Sequence, residues 1–215
     1  MSSENKVENS GSNKLYYGWV MVAVSGLQRF FSGPGNTYSI QNWKQDYIEE
    51  FGFTESSMGT LYAASTTASG FLLFTMGMAV DKFGTRAMTL WVVLPGLTLA
   101  CLVSSYMTDY WMVGFSIFLL RFFGQGSCWM IPGVVIAHWF VKKRGRALSI
   151  NGIWYYLSAI ILPPLNAMLI EKYGWRETWM VWAALVVGVM FPVALCFYRS
   201  KPEDMGLEGE PVEEG

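Results

Sequence analysis

The chain has 215 residues, of which 53% are hydrophobic, 16% aromatic and only 14% charged, with a formal net charge of −1. Soluble domains carry about a quarter charged residues, so the composition argues against an ordinary soluble domain, and the near-neutral balance offers no basic surface to a nucleic acid. Cys101, Cys128 and Cys196 all fall inside apolar runs with no CxxC spacing, and one His cannot anchor a metal cluster. No disulfide framework, metal site or cofactor is expected.

Residues 1–15 are polar and mixed in charge and read as a disordered N-terminus. Six apolar runs follow, at about 16–39, 57–80, 87–106, 110–140, 147–170 and 178–198. A helix needs about 20 apolar residues to cross a hydrocarbon core of about 30 Å. Backbone groups in lipid must bond internally, so the runs are predicted to be membrane helices. Residues 16–198 are thus expected to form one bundle, and 199–215 an acidic tail or linker. Placing the N-terminus inside puts most basic loop residues, such as Lys82, Arg86, Lys142, Lys143, Arg144 and Arg146, on the inner side. Only Lys44, Lys172 and Arg176 remain outside. This bias predicts two cytoplasmic termini in a multi-pass protein of the cell (plasma or inner) membrane.

The runs repeat. DKFGTR at 81–86 returns as EKYGWR at 171–176, an offset of 90. WVMVAVSGLQRFF at 19–31 returns as WMVGFSIFLLRFF at 111–123, an offset of 92. The halves 16–106 and 110–198 therefore look like two copies of a three-helix unit. An odd number of spans per copy inverts the second, giving a 3+3 inverted repeat, a construction known in secondary transporters.

Arg29 and Arg121 stand ten residues past Trp19 and Trp111, about 15 Å along a helix and near the bilayer midplane. An arginine there costs about 2.5–3.5 kcal/mol on insertion scales. No acid lies at that depth, so a wet cavity, an anion or an acid on a partner must compensate them. Two such residues can grip a carboxylate. The alternative is structural: Arg121 bonded to backbone carbonyls, Arg29 snorkelling. Gly33, Pro34 and Gly35 follow Arg29, and Gly124, Gly126, Pro132 and Gly133 follow Arg121. They either open the backbone at a binding site or permit close packing. Tyr38, Asn42, Trp154, Tyr155 and Asn166 are further candidates for a cavity wall. No paired carboxylates or HExxH suggest catalysis, so an enzyme is not expected.

Gly77, Asp81, Lys82, Gly84 and Arg86 fit G-x-x-x-D-[RK]-x-G-x-[RK] between the second and third runs. This resembles the loop signature of the major facilitator superfamily, although Thr85 stands where that family often has another basic residue. RFFGQG, with Arg121, Gly124 and Gly126, is similar to its R-x-x-x-G element. YYGWVMVAV, WFVKKRGRALSI, LPPLNAMLIEKYGWR and RSKPEDMGL look like the branch related to oxalate/formate antiporters and monocarboxylate transporters. The resemblance covers about residues 15–208 and implies an all-α membrane protein, half of a twelve-helix fold.

It further implies alternating-access transport of a small organic anion (monocarboxylate or dicarboxylate), with the first and fourth spans lining a central cavity. The 77–86 loop is implied to act as a conformational latch against a second six-helix half. That half is either a C-terminal half or a second copy in a homodimer. Arg86 is expected to pair with Asp81. The alternative is a truncated, non-transporting membrane subunit or fragment.

Overall fold

The computed structural model describes residues 16–207. The predicted disorder of 1–15 and the end of the acidic tail, 208–215, lie outside the described residues. Every regular element among the described residues is helical. These are α1 (Tyr17–Phe30), α2 (Thr37–Ile40), α3 (Lys44–Phe51), α4 (Glu55–Phe83), α5 (Thr85–Ser105), α6 (Tyr110–Trp139), α7 (Arg144–Tyr173) and α8 (Trp175–Phe197).

Helices α4 to α8 are each long and apolar enough to cross a membrane, and they correspond to the second to sixth predicted runs. The first predicted run is not one helix. α1 has 14 residues, about 21 Å of rise, and then gives way to a 3-10 turn at Gly33–Gly35. Pro34 lacks an amide donor, and Asn36 is extended (φ −85°, ψ 150°), so the ladder stops before α2 restarts it. α3 was not foreseen within the 40–56 segment. It is held on α8 by aromatics: Trp43 stacks on Trp179 at 4.1 Å between centroids. Trp179 Nε1 donates to Tyr47 Oη (2.9 Å), and Trp43 Nε1 to the Trp175 carbonyl (3.2 Å).

Local signals set the ends of the long helices. Thr54 and Ser57 form a reciprocal capping box at the start of α4, and the Asp109 carboxylate accepts from Trp111 and Met112 N–H at the start of α6. α4 and α7 end in the same way: Gly84 (φ +84°) and Gly174 (φ +94°) take the positive φ that lets the chain reverse into the next helix. Those two glycines occupy the same place in DKFGTR and EKYGWR.

The pairing of helices matches as well. α1 packs on α7 and α6, α4 on α6, and α5 on α8. Near one end of the α5–α8 pair, Arg86 Nη2 donates to the Leu195 carbonyl (3.2 Å). At the other end, Arg176 Nη1 donates to the Ser105 carbonyl (2.9 Å). Each arginine opens one helix and fastens it to the end of its antiparallel neighbour. The expected Arg86–Asp81 pair is replaced by this carbonyl contact, and Asp81 is exposed. The start of the tail docks too, since Arg86 N–H donates to Ser200 Oγ (3.0 Å).

The surface is apolar and the interior partly polar, as lipid requires. Phe71 and Phe74 on α4 are 79% and 73% exposed, whereas Asn151, Ser158 and Asn166 on α7 are fully buried. Asn151 Nδ2 donates to the Val22 carbonyl, Ser158 Oγ to the Phe30 carbonyl, and Asn166 Nδ2 to Ser39 Oγ, all at 3.0–3.1 Å. This row ties α7 to α1 and to the segment beyond it.

Two backbones approach closely at Gly35. A β-carbon on Gly35 would lie 2.1 Å from the Leu120 carbonyl oxygen and 2.9 Å from Gly124 Cα. The obstructing atoms are main chain and cannot rotate away. A Gly35→Ala variant is expected to lose about 1–3 kcal/mol by overpacking, read as a lower thermal midpoint in detergent. Gly152→Ala, with open space at its β-carbon, serves as the unaffected control.

At the loop end of α3, Arg176 Nη2 and Trp175 Nε1 both donate to the Glu50 carboxylate. The Arg176 hydrogen bond holds the Glu50 carboxyl below its ordinary value, against a smaller opposing effect of desolvation. A depressed folded value contributes stability above the unfolded value of about 4.3 that is lost as pH falls through the folded one. The thermal midpoint of the wild type, relative to Glu50→Gln, should therefore hold steady from pH 7 to 5 and decline towards pH 3. A pH-independent difference would show that the ion pair does not act on stability.

Candidate functional site

A cleft of about 620 Å³ opens between α1, α4, α6 and α7, and both Arg29 and Arg121 line it. Three helices contribute faces at helical spacing. α4 presents Thr66, Ser69, Gly70 and Leu73. α6 presents Arg121, Gln125 and Trp129, each one turn beyond the last. α7 presents Gly152, Tyr155 and Tyr156. None of the lining residues is acidic.

Arg29 sits in the last turn of α1 and is only 8% exposed. Its Nη2 donates to the Trp129 carbonyl (3.3 Å), its guanidinium lies 5.0 Å from the Trp129 ring centroid, and its buried Nε has no partner. Arg121 lies in a π-helical stretch of α6, Leu120–Ser127. Such widened turns leave carbonyls free of the regular ladder, and Ser127 Oγ donates to that of Phe122 (2.8 Å). Arg121 Nη1 donates to the Gly35 carbonyl and to Thr37 Oγ1, both at 3.3 Å, and its guanidinium lies 5.3 Å from the Tyr62 ring. The Gly35–Gly124 approach brings that carbonyl within reach. Thus Arg121 does bond a backbone carbonyl, as the structural alternative had it, while Arg29, expected there to snorkel, is buried and bonds one too; both face the cleft. Gly33 to Gly35 likewise serve both readings, breaking the helix and packing it.

Of the other predicted wall residues, Tyr155 lines the cleft. Tyr38 stands behind it, with its ring 5.9 Å from that of Tyr155 and its hydroxyl 2.7 Å from Ser158 Oγ. Asn42 is absent from the wall; its Nδ2 donates to the Pro163 carbonyl (3.0 Å). Asn166 is also elsewhere, accepting from Trp182 Nε1 (2.9 Å). Trp154 turns the other way, over Gly26 and into an apolar crevice with Leu27 and Val193. One helical step of about 100° separates it from Tyr155. The sequence reading missed Trp129, Gln125, Thr66 and Tyr156. Stepping by four from Arg121 would have found the first two.

Three residues of the lining carry buried side-chain atoms without partners: Thr66 Oγ1, Gln125 Oε1 and Arg29 Nε. Among the described residues no group of three His, Cys, Asp or Glu side chains lies close enough to hold a metal. Chemically, the cleft offers two cations, aromatic faces and a few unsatisfied polar atoms.

The loop signature stands apart from the cleft. Asp81 and Lys82 are exposed, Gly84 makes the reversal, and Gly77 has open space over its Cα. A shallow groove lined by Gly70, Leu73, Gly77, Asp81 and Met130 adjoins the cleft, since Gly70, Leu73 and Met130 line both.

Three relatives are similar over most of the chain. A glycerol-3-phosphate transporter of Bacillus subtilis is 28% identical over 176 residues, 78% of this chain and 38% of its own length. A probable sulfoacetate transporter of Cupriavidus necator is 27% identical over 159 residues, 72% of this chain and 36% of its own. A riboflavin transporter of Trypanosoma brucei brucei is 26% identical over 189 residues, 85% of this chain and 34% of its own. The chain thus spans little more than a third of the length of these relatives. Residues 18–213 match the Major Facilitator Superfamily. The chain belongs to this superfamily of membrane transporters, as a multi-pass protein whose apolar helices span the bilayer.

Proposed function

We propose that the chain is a six-helix half of an alternating-access carrier for a small organic anion, a monocarboxylate or dicarboxylate. The observation that carries the reading is the pair of arginines facing one cleft whose wall holds no acid. A guanidinium in an apolar bundle attracts a carboxylate strongly, because both charges are poorly solvated there. Glycerol 3-phosphate and sulfoacetate, in the names of two relatives, are also anions.

In this reading α1, the turn at Gly33–Gly35 and α2 together make the first crossing, completing six spans in a 3+3 inverted repeat. The matched glycine reversals and the two reciprocal arginine ties of α5 and α8 support that symmetry. Both termini are cytoplasmic in the cell (plasma or inner) membrane, as the loop charges suggest. A second six-helix half, from the same polypeptide or a second copy, closes the cleft opposite α4 and α7. Gly77, Asp81, Lys82, Gly84 and Arg86 form the latch. The exposed Asp81 and Lys82 are the groups free to meet that half, while Arg86 fixes the loop to α8. Arg29, Arg121 and Tyr155 contact the anion, Tyr38 supports Tyr155, and Asn42 and Trp154 hold the helices in place.

Uptake of a radiolabelled carboxylate by the chain expressed with its second half tests this. Arg29→Ala and Arg121→Ala should each lower uptake about 10- to 100-fold, the size of a lost charge-assisted contact, at unchanged protein level. Arg29→Lys should retain more activity than Arg29→Ala. Undiminished uptake in both alanine variants would remove the anion reading.

A further inference from the structure

The proposed anion site has a second chemical character, and it narrows the class of substrate. Resting on that reading, we infer that the anion is an aromatic carboxylate, with its acid group at the cleft arginines and its ring against Tyr155 and Tyr156. Three observations carry this. First, about 620 Å³ lies within the range of pockets for drug-sized ligands, far more than a two-carbon acid fills.

Second, the α7 wall is aromatic and presents an open slot. The Tyr155 and Tyr156 rings stand edge to face at 5.7 Å, and nothing lies within 4 Å of a β-carbon built on Gly152, one turn earlier on the same face. Tyr156 is 67% exposed, so much of its ring is left uncovered by this chain. Aromatic rings favour edge-to-face or offset neighbours at such separations.

Third, the buried part of the polar wall has few hydrogen bonds to spare. Ser69 Oγ already donates to the Thr66 carbonyl (2.8 Å), and Asn36 Nδ2 to Ser32 Oγ (2.9 Å). Among the lining side chains, the buried atoms left unbonded are Thr66 Oγ1, Gln125 Oε1 and Arg29 Nε. Extra hydroxyls buried against this wall would have to share these few groups, whereas a ring needs none.

Binding to the full chain in detergent, by calorimetry, separates the outcomes. The probes are phenylacetate, acetate, oxalate and the neutral phenylacetamide. Phenylacetate should bind at least tenfold tighter than acetate or oxalate, and phenylacetamide should not bind. Tyr156→Ala should weaken phenylacetate about fivefold and leave acetate unchanged; its exposure makes it a safe variant for folding. Acetate or oxalate binding as tightly as phenylacetate would overturn the aromatic assignment and keep the anion reading. Phenylacetamide binding as tightly as the acid would overturn the anion reading itself. Binding of none of the four would overturn both.

Discussion

The architecture of the bundle depends on one kind of bond, a guanidinium donating to a main-chain carbonyl. Arg29 uses Trp129, Arg121 uses Gly35, Arg86 uses Leu195 and Arg176 uses Ser105. In regular helix those oxygens are committed to the ladder four residues on. They become available at a helix end (Leu195, Ser105) or in a broken segment (Gly35), while the Trp129 carbonyl lies in the helix just past the π-helical stretch. The irregularities of this chain and its arginines therefore belong together. Where the ladder breaks, a cation fills the gap, and where a cation is buried, the ladder supplies oxygen without a formal charge.

The Gly35–Gly124 approach makes this possible at the cleft. With a side chain at either position the broken segment would stand away from α6, and the Gly35 carbonyl would leave the reach of Arg121. The cleft would then lose the tie between its first wall and its third.

Much of this was legible in the sequence, and the limits have physical reasons. Long apolar runs, the matched glycines and the pairing of Arg29 with Arg121 follow from hydropathy and the repeat, whereas Tyr155 was named with its neighbours on no periodicity. The break after Phe31 was flagged by Gly33, Pro34 and Gly35, but its consequence depended on which backbone lay opposite. α3 was hidden because eight polar-rich residues do not form a stable helix alone; Trp43 and Tyr47 fold it against α8, a contact over 130 residues away. Trp154 was misplaced because adjacent residues on a helix point about 100° apart, and its ring takes the room that Gly26 leaves open. Arg86 was assigned to Asp81 from proximity in sequence. The carbonyl of Leu195 is the acceptor instead because the end of α8 lies beside the start of α5, a neighbour that sequence distance conceals.

The choice of carbonyl over carboxylate partners also bears on the proposed transport. An arginine paired with a buried acid is already neutralised, and an incoming anion must displace a full charge and leave it stranded. An arginine held by a carbonyl keeps its net charge, and an anion competes only with a dipole. Charge-assisted hydrogen bonds to a carboxylate are about twice as strong as neutral ones. The exchange favours the ligand, yet leaves each guanidinium a resting partner when the ligand departs. Binding that must be undone on the far side of a membrane needs that balance: enough attraction to load, and a folded state that tolerates the empty cleft without an acid of its own.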